Sequence, residues 1–158
     1  MSRIEVKISV EGKTLKVALI GAIDETFSQS SPQIPKAVNI EFNLQGLKSI
    51  NSTGIREWIK YSSSLAGSTI TFINCPKVFI DQVNMVQGFI PKGSKITSFF
   101  VPYYNEDSDT EKNVLFTYGK EFSDATVVKP PTDIKDDAGA VMEIDIIESK
   151  YFKFIKGS

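Results

Sequence analysis

The stretch Asn51-Ser52-Thr53-Gly54 holds the residue types best suited to chemistry in this chain. Two hydroxyls stand where a helical periodicity begins, and a glycine follows them. A helix start leaves its first amides without intrahelical acceptors and carries partial positive charge. Ser52 or Thr53 can cap those amides with a side-chain oxygen. The same amides would hold a phosphate esterified to one of these hydroxyls. That group would add close to two negative charges to a surface loop. Helix capping alone needs no functional explanation, so cap and phosphoacceptor are the two readings of this loop.

Other chemistry has few residues to draw on. The 158-residue chain contains no histidine and one cysteine, Cys75. Ser–His and Cys–His nucleophile pairs are therefore excluded, as is a zinc site of the usual nitrogen and sulfur ligands. Cys75, just before Pro76, could be exposed and activated by Lys77 and a following helix start, though a lone cysteine is more often inert packing. The acidic residues Glu106, Asp107, Asp109 and Glu111 lack calcium-loop spacing, as do Asp133, Asp136 and Asp137. Solvated loops are expected at both places. No glycine-rich phosphate loop is present. These gaps argue against an enzyme and imply no cofactor and no metal. The net charge of −1 provides no field for nucleic acid or an anionic membrane. The polar, alternating residues 1–7 do not read as a signal peptide, and no apolar run reaches the ~18 residues of a membrane span. A cytoplasmic location is expected.

The elements that must position the loop follow from periodicity. Residues 3–10 alternate with Ile4, Val6, Ile8 and Val10 on one face, and residues 14–20 alternate after the turn Glu11-Gly12-Lys13. That predicts a β-hairpin, broken by Gly21. A helical turn is expected near 25–29, ended by Pro32 and Pro35. Residues 38–44 read as a strand, with Leu47 and Ile50 leading into the loop. Ile55, Trp58, Ile59, Ser62, Leu65 and Ala66 share a face at helical spacing, so a helix is expected over 54–66, capped by Gly67. Core packing is the favoured role for Trp58. A strand over 69–74 precedes a helix opened by Pro76, with Phe79, Val83 and Val86 inward and Gly88 at its end. Met85 and Phe89 could be exposed near that end, forming an apolar docking patch beside the 51–54 loop. A strand over 96–101 completes an α/β domain, a mixed sheet with helices packed on it.

Three segments carry a resemblance. Gly21-Ala22-Ile23-Asp24 follows the second strand, Phe42-Asn43-Leu44-Gln45-Gly46-Leu47 spans the third, and Ile50-Asn51-Ser52-Thr53-Gly54-Ile55 opens the helix. In this order and spacing they resemble the STAS domain, named for sulfate transporters and anti-sigma factor antagonists, over residues 3–101. The resemblance implies a bacterial-type regulatory module that binds a partner protein, a serine kinase or an anti-sigma-like factor. It also implies phosphorylation of the hydroxyl before the glycine, here Thr53. Two aspartates of the family pattern are amides in this chain, Asn43 and Asn51. The implied docking loop comprises Asp24, Asn51, Ser52, Thr53 and Gly54, with Met85 and Phe89 beside it.

Residues 102–158 read as a small β-rich extension, too poor in apolar residues to fold alone. Val114 to Tyr118 looks like a strand, 123–140 a loop, and 141–147 and 151–155 further β-hairpin material packing on residues 1–101 or on a second subunit. The extension resembles a zinc ribbon, with Asn105, Ser108, Lys135 and Ala138 at the four cysteine positions. None is a thiolate, which implies a ribbon without metal. The overall expectation is a non-enzymatic interaction module, switched at Thr53. The alternative is an unswitched scaffold or homodimerisation module in which Thr53 serves only as a cap.

Overall fold

A computed structural model describes residues 4–31, 33–34, 39–123, 126–127 and 130–156. Pro32, Pro35 and Val38, drawn into the elements above, lie outside the described residues. Glu5–Glu11 (β1) and Thr14–Ile23 (β2) form the expected antiparallel hairpin around Gly12, whose φ of +62° suits a two-residue turn. Phe27–Ser30 is a single helical turn, α1. Asn39–Asn43 (β3) pairs parallel with β2 from Thr14 to Ala18. The chain then turns at Gly46, and Leu47–Ile50 (β4) takes over, pairing parallel with β2 from Gly21 to Ile23. β2 thus continues through Gly21 instead of stopping there. At the changeover Gly21 has φ +115° and donates its N–H to the Gly46 carbonyl at 2.9 Å. A side chain at Gly46 would collide with Ile20, its Cβ lying 2.8 Å from Cγ1. β4 is too short to register in the sequence as a strand separate from β3.

Ser52–Ser63 (α2), Thr69–Ile73 (β5), Lys77–Met85 (α3) and Lys95–Ile96 (β6) follow. The strands lie in the order β1-β2-β3-β5-β6, with β4 beside the end of β2. One pair is antiparallel and the rest are parallel, so the sheet is mixed and the α/β class stands. Alternation explains the core. Val17 and Leu19, Ile40 and Phe42, and Ile70 and Phe72 are buried on one face. Trp58 of α2 and Phe79 and Ile80 of α3 are buried with them in the same core. Ring centroids of Phe27, Phe42, Phe72, Phe79 and Phe89 lie 5.6–6.2 Å from that of Trp58. Trp58 is fully buried, and its indole Nε1 donates to the Phe89 carbonyl at 2.9 Å.

The remaining chain builds a smaller sheet. Ser98–Asn105 (β7) and Thr110–Thr117 (β8) pair antiparallel, and Glu143–Ile144 (β11) pairs with the other edge of β7. Phe122–Ser123 (β9) and Thr126–Val127 (β10) form a short ribbon in the segment read as a loop. Residues 151–155 are not β-hairpin material. Glu148–Tyr151 (α4) and Lys153–Lys156 (α5) are helical turns, and Tyr151, Phe152 and Ile155 are buried at i, i+1, i+4, a helical stripe. Phe99 centres this region, its ring 5.0–6.1 Å from those of Phe116, Phe122, Tyr151, Phe152 and Phe154. β7 runs across the 101/102 division, and both aromatic groups belong to one contiguous core.

Candidate functional site

Parallel strands send their C-terminal ends to one edge of a sheet, so the loops after β2 and β4 meet there. Asp24 and Asn51 organise that meeting. Asp24 Oδ1 accepts from Thr26 Oγ1 at 2.6 Å and from the Thr26 amide at 2.9 Å. These bonds, the hydroxyl's first, hold the Asp24 carboxyl below its usual pKa. The Asp24 carbonyl also receives the Phe27 amide at 3.0 Å, which starts α1.

Asn51 is extended and makes four hydrogen bonds. Its Oδ1 accepts from the Gly54 amide at 2.7 Å, which makes Asn51 the N-cap of α2. Its carbonyl accepts from the Ile55 amide, and its own amide donates to the Ile23 carbonyl at 3.2 Å. Its Nδ2 donates to Glu25 Oε2 at 3.1 Å. The capping role considered for Ser52 or Thr53 therefore belongs to Asn51. Ser52 and Thr53 are the first two helical residues, Ser52 exposed and Thr53 half-buried. No hydrogen bond of either hydroxyl is found among the described residues.

Gly54 is buried because the helix start sits on the end of β2. A Cβ at this position would stand 2.0 Å from the Ile23 carbonyl oxygen. Glycine here permits the chain's own close approach, a packing requirement independent of any partner.

Asp24, Asn51, Ser52 and Thr53 thus lie together at this edge, with Gly54 buried beneath them. Met85 and Phe89 do not join them. α3 starts after β5, at the same edge as α2, and carries Met85 eight residues from its start, about 12 Å of helix rise. Met85 is 70% exposed, whereas Phe89 is 1% exposed in the core against Trp58. The expected exposed patch is corrected on that point: Phe89 is a core residue. Cys75 is likewise fully buried, and burial pushes its thiol well above the usual range, which makes it unreactive.

Sequence reasoning missed an open groove of about 600 Å³ on the molecule. Lys48 of β4, Lys77 at the start of α3, Glu111 of β8 and Asp145 line it, so its charge is mixed. Only the tertiary packing of β7–β8 against the first sheet creates it, and no local signal marks these residues.

The four ribbon positions come together through polar groups. Asn105 Oδ1 accepts from the Ser108 amide, and its Nδ2 donates to the Val141 carbonyl, both at 3.1 Å. Ser108 Oγ donates to Asp136 Oδ2 at 2.9 Å, and Asp136 Oδ1 accepts from the Ala138 and Ala140 amides. Lys135 bridges to Val141. Two turns are thereby joined by hydrogen bonds centred on Asp136. Among the described residues, no group of three or more His, Cys, Asp or Glu side chains could hold a metal ion. No helix among the described residues is long and apolar enough to cross a membrane.

No protein-family model matches the chain, and no curated protein matches it.

Proposed function

We propose that this chain is a non-enzymatic regulatory module that docks a partner protein on the Asp24–Thr26 and Asn51–Gly54 surface, with Thr53 as the phosphorylated switch. The partner class is a serine kinase or an anti-sigma-like regulator, and the compartment is the cytoplasm. One observation carries the reading. The Thr53 hydroxyl stands on the second residue of α2 and takes no part in the cap, because Asn51 supplies it. A phosphate there would meet the amides and positive potential of the helix start without dismantling the fold. A partner packed on the same surface would have to bury an unpaired double charge, which is costly. The resemblance of the three segments to STAS domains supports the choice of Thr53 over Ser52. Glu25, held against Asn51, adds a negative charge beside the switch and would sharpen the repulsion of an acidic partner surface.

The test is partner capture by wild type, Thr53→Ala and Thr53→Glu. Loss of a partner by Thr53→Glu alone supports the switch. Equal retention by all three leaves an unswitched docking module.

A further inference from the structure

We propose that two copies of this chain pair antiparallel along β1, with Ser9 facing Ser9 of the second copy across a two-fold axis. Among the described residues β1 pairs only with β2, so its outer edge is open. The hairpin register runs from Glu5↔Ile20 to Glu11↔Thr14. A two-residue turn makes Glu11↔Thr14 a hydrogen-bonded pair. In an antiparallel ladder such pairs alternate, so residues 5, 7, 9 and 11 direct their backbone groups to β2. Val6, Ile8 and Val10 direct theirs to the open edge. Side chains of these three share the face of Leu15, Val17 and Leu19, which is the face the core occupies farther in. Val6 is partly buried against that core, but toward the hairpin turn the stripe is open: Ile8 is 49% and Val10 72% exposed. An edge with unspent backbone groups and an apolar stripe is a template for another strand.

The identity of that strand follows from charge. Outward-facing residues must meet outward-facing residues for the ladder to close, which leaves only registers centred on a residue. With Ser9 at the centre, Ile8 meets Val10 of the second copy in a hydrogen-bonded pair, and this occurs twice by symmetry. In the same register Lys7 faces Glu11, also twice. The neighbouring registers fail. Centring on Ile8 sets Glu5 against Glu11, centring on Lys7 sets that lysine against itself, and centring on Val10 runs Ile8 and Lys7 into the turn residues Gly12 and Lys13, which shortens the ladder and leaves Lys7 without Glu11. Like charges directly opposite each other are destabilising in a ladder. The existing contacts Lys7–Glu5 at 3.7 Å and Lys16–Glu11 at 2.9 Å involve exposed side chains and do not prevent a second partner. The arrangement is isologous and closed, so it stops at a dimer.

Analytical ultracentrifugation of the full chain over a wide concentration range tests this. Wild type should move from the 17.5 kDa monomer toward twice that mass. Lys7→Glu and Glu11→Lys should each weaken self-association about tenfold or more, since each creates two like-charge contacts. Mixing these two variants should restore association, because in the mixed dimer both contacts are attractive again. Amide exchange should slow with concentration at Ile8 and Val10, while Lys7 and Ser9 remain as protected as in the monomer. A wild-type chain that stays monomeric at every concentration overturns the proposal and leaves the edge to a different strand. A dimer indifferent to both variants, or a mixture no stronger than either alone, overturns it equally.

Discussion

Asn51 connects the two loops at the candidate site, and its amide suits both tasks. Oδ1 caps α2 while Nδ2 donates to Glu25, and a carboxylate could do only the first and would repel Glu25. Asn51→Ala should therefore lower stability by about 1 kcal/mol through the lost cap. Thr53→Ala, in the first turn but outside the cap, should change it by less than about 0.5 kcal/mol. Chemical denaturation of the two variants separates them, and the reverse ranking would remove Asn51 as the cap. The identity of the cap was not legible in the sequence, because three adjacent residues, Asn51, Ser52 and Thr53, all carry suitable oxygens. The backbone decides among them: Asn51 is the extended residue and the other two are already helical.

Asp136 is a second residue whose contribution can be measured. Bonds from the Ala140 amide first, then from the Ser108 hydroxyl, hold its carboxyl below the usual 3.8. A depressed folded-state value contributes stability above the unfolded value and loses it as pH falls through the folded one. The stability gap between wild type and Asp136→Ala should hold at neutral pH and narrow as pH falls below 3.8. A gap that keeps its full width in acid would mean that the ionised carboxylate is not what joins the two turns.

Among the elements, those with strong periodicity were the legible ones. The β1–β2 hairpin, α2 with its Trp58 stripe, β5 and α3 all lie within a few residues of where alternation or helical spacing puts them. β4 was missed because four residues after a glycine turn offer too little pattern. The C-terminal helical turns were misread because Tyr151-Phe152-Lys153-Phe154-Ile155 satisfies a strand as readily as a helix until burial is known. Phe89 was misplaced for a related reason. It follows Gly88, beyond the end of α3, so helical periodicity does not govern it, and the chain folds it back beneath Trp58.

The aromatic group around Phe99 shows how the later elements depend on the earlier ones. Phe99 touches rings from β8, β9, α4 and α5, while Asn84 of α3 donates to the Tyr151 carbonyl at 2.9 Å. Tyr151 in turn donates its hydroxyl to the Phe100 carbonyl at 2.6 Å. Phe99→Ala should cost about 3–5 kcal/mol, the range for emptying a buried aromatic site. Unfolding should remain a single transition, because α3 and β7 tie the two sheets into one core. Two resolved transitions, with only the second half of the chain affected, would show instead that residues 102–158 melt by themselves.

For the whole molecule, the α/β class was legible because strand and helix periods alternate after residue 38. The surface that would read a partner was legible only in part. Asp24 and residues 51–54 converge as expected, since parallel strands deliver their following loops to one edge. The mixed-charge groove and the open β1 edge depend on which strands end up outermost, and local patterning carries no record of that. Folding constrains the proposed docking surface independently of any switch. Gly54 must lack a Cβ to let α2 sit on Ile23, and Asn51 must span two loops. Ser52 and Thr53 are both hydroxyl-bearing residues that the cap leaves unused, and the proposed switch takes Thr53 of the two.

Quantitative capture from native cell extract on equal densities of wild type, Thr53→Ala and Thr53→Glu measures this most directly. The expected result is a regulatory protein retained by wild type and Thr53→Ala and lost from Thr53→Glu, with all three baits showing the same melting behaviour. Retention of the same proteins at the same level by Thr53→Glu would contradict the switch.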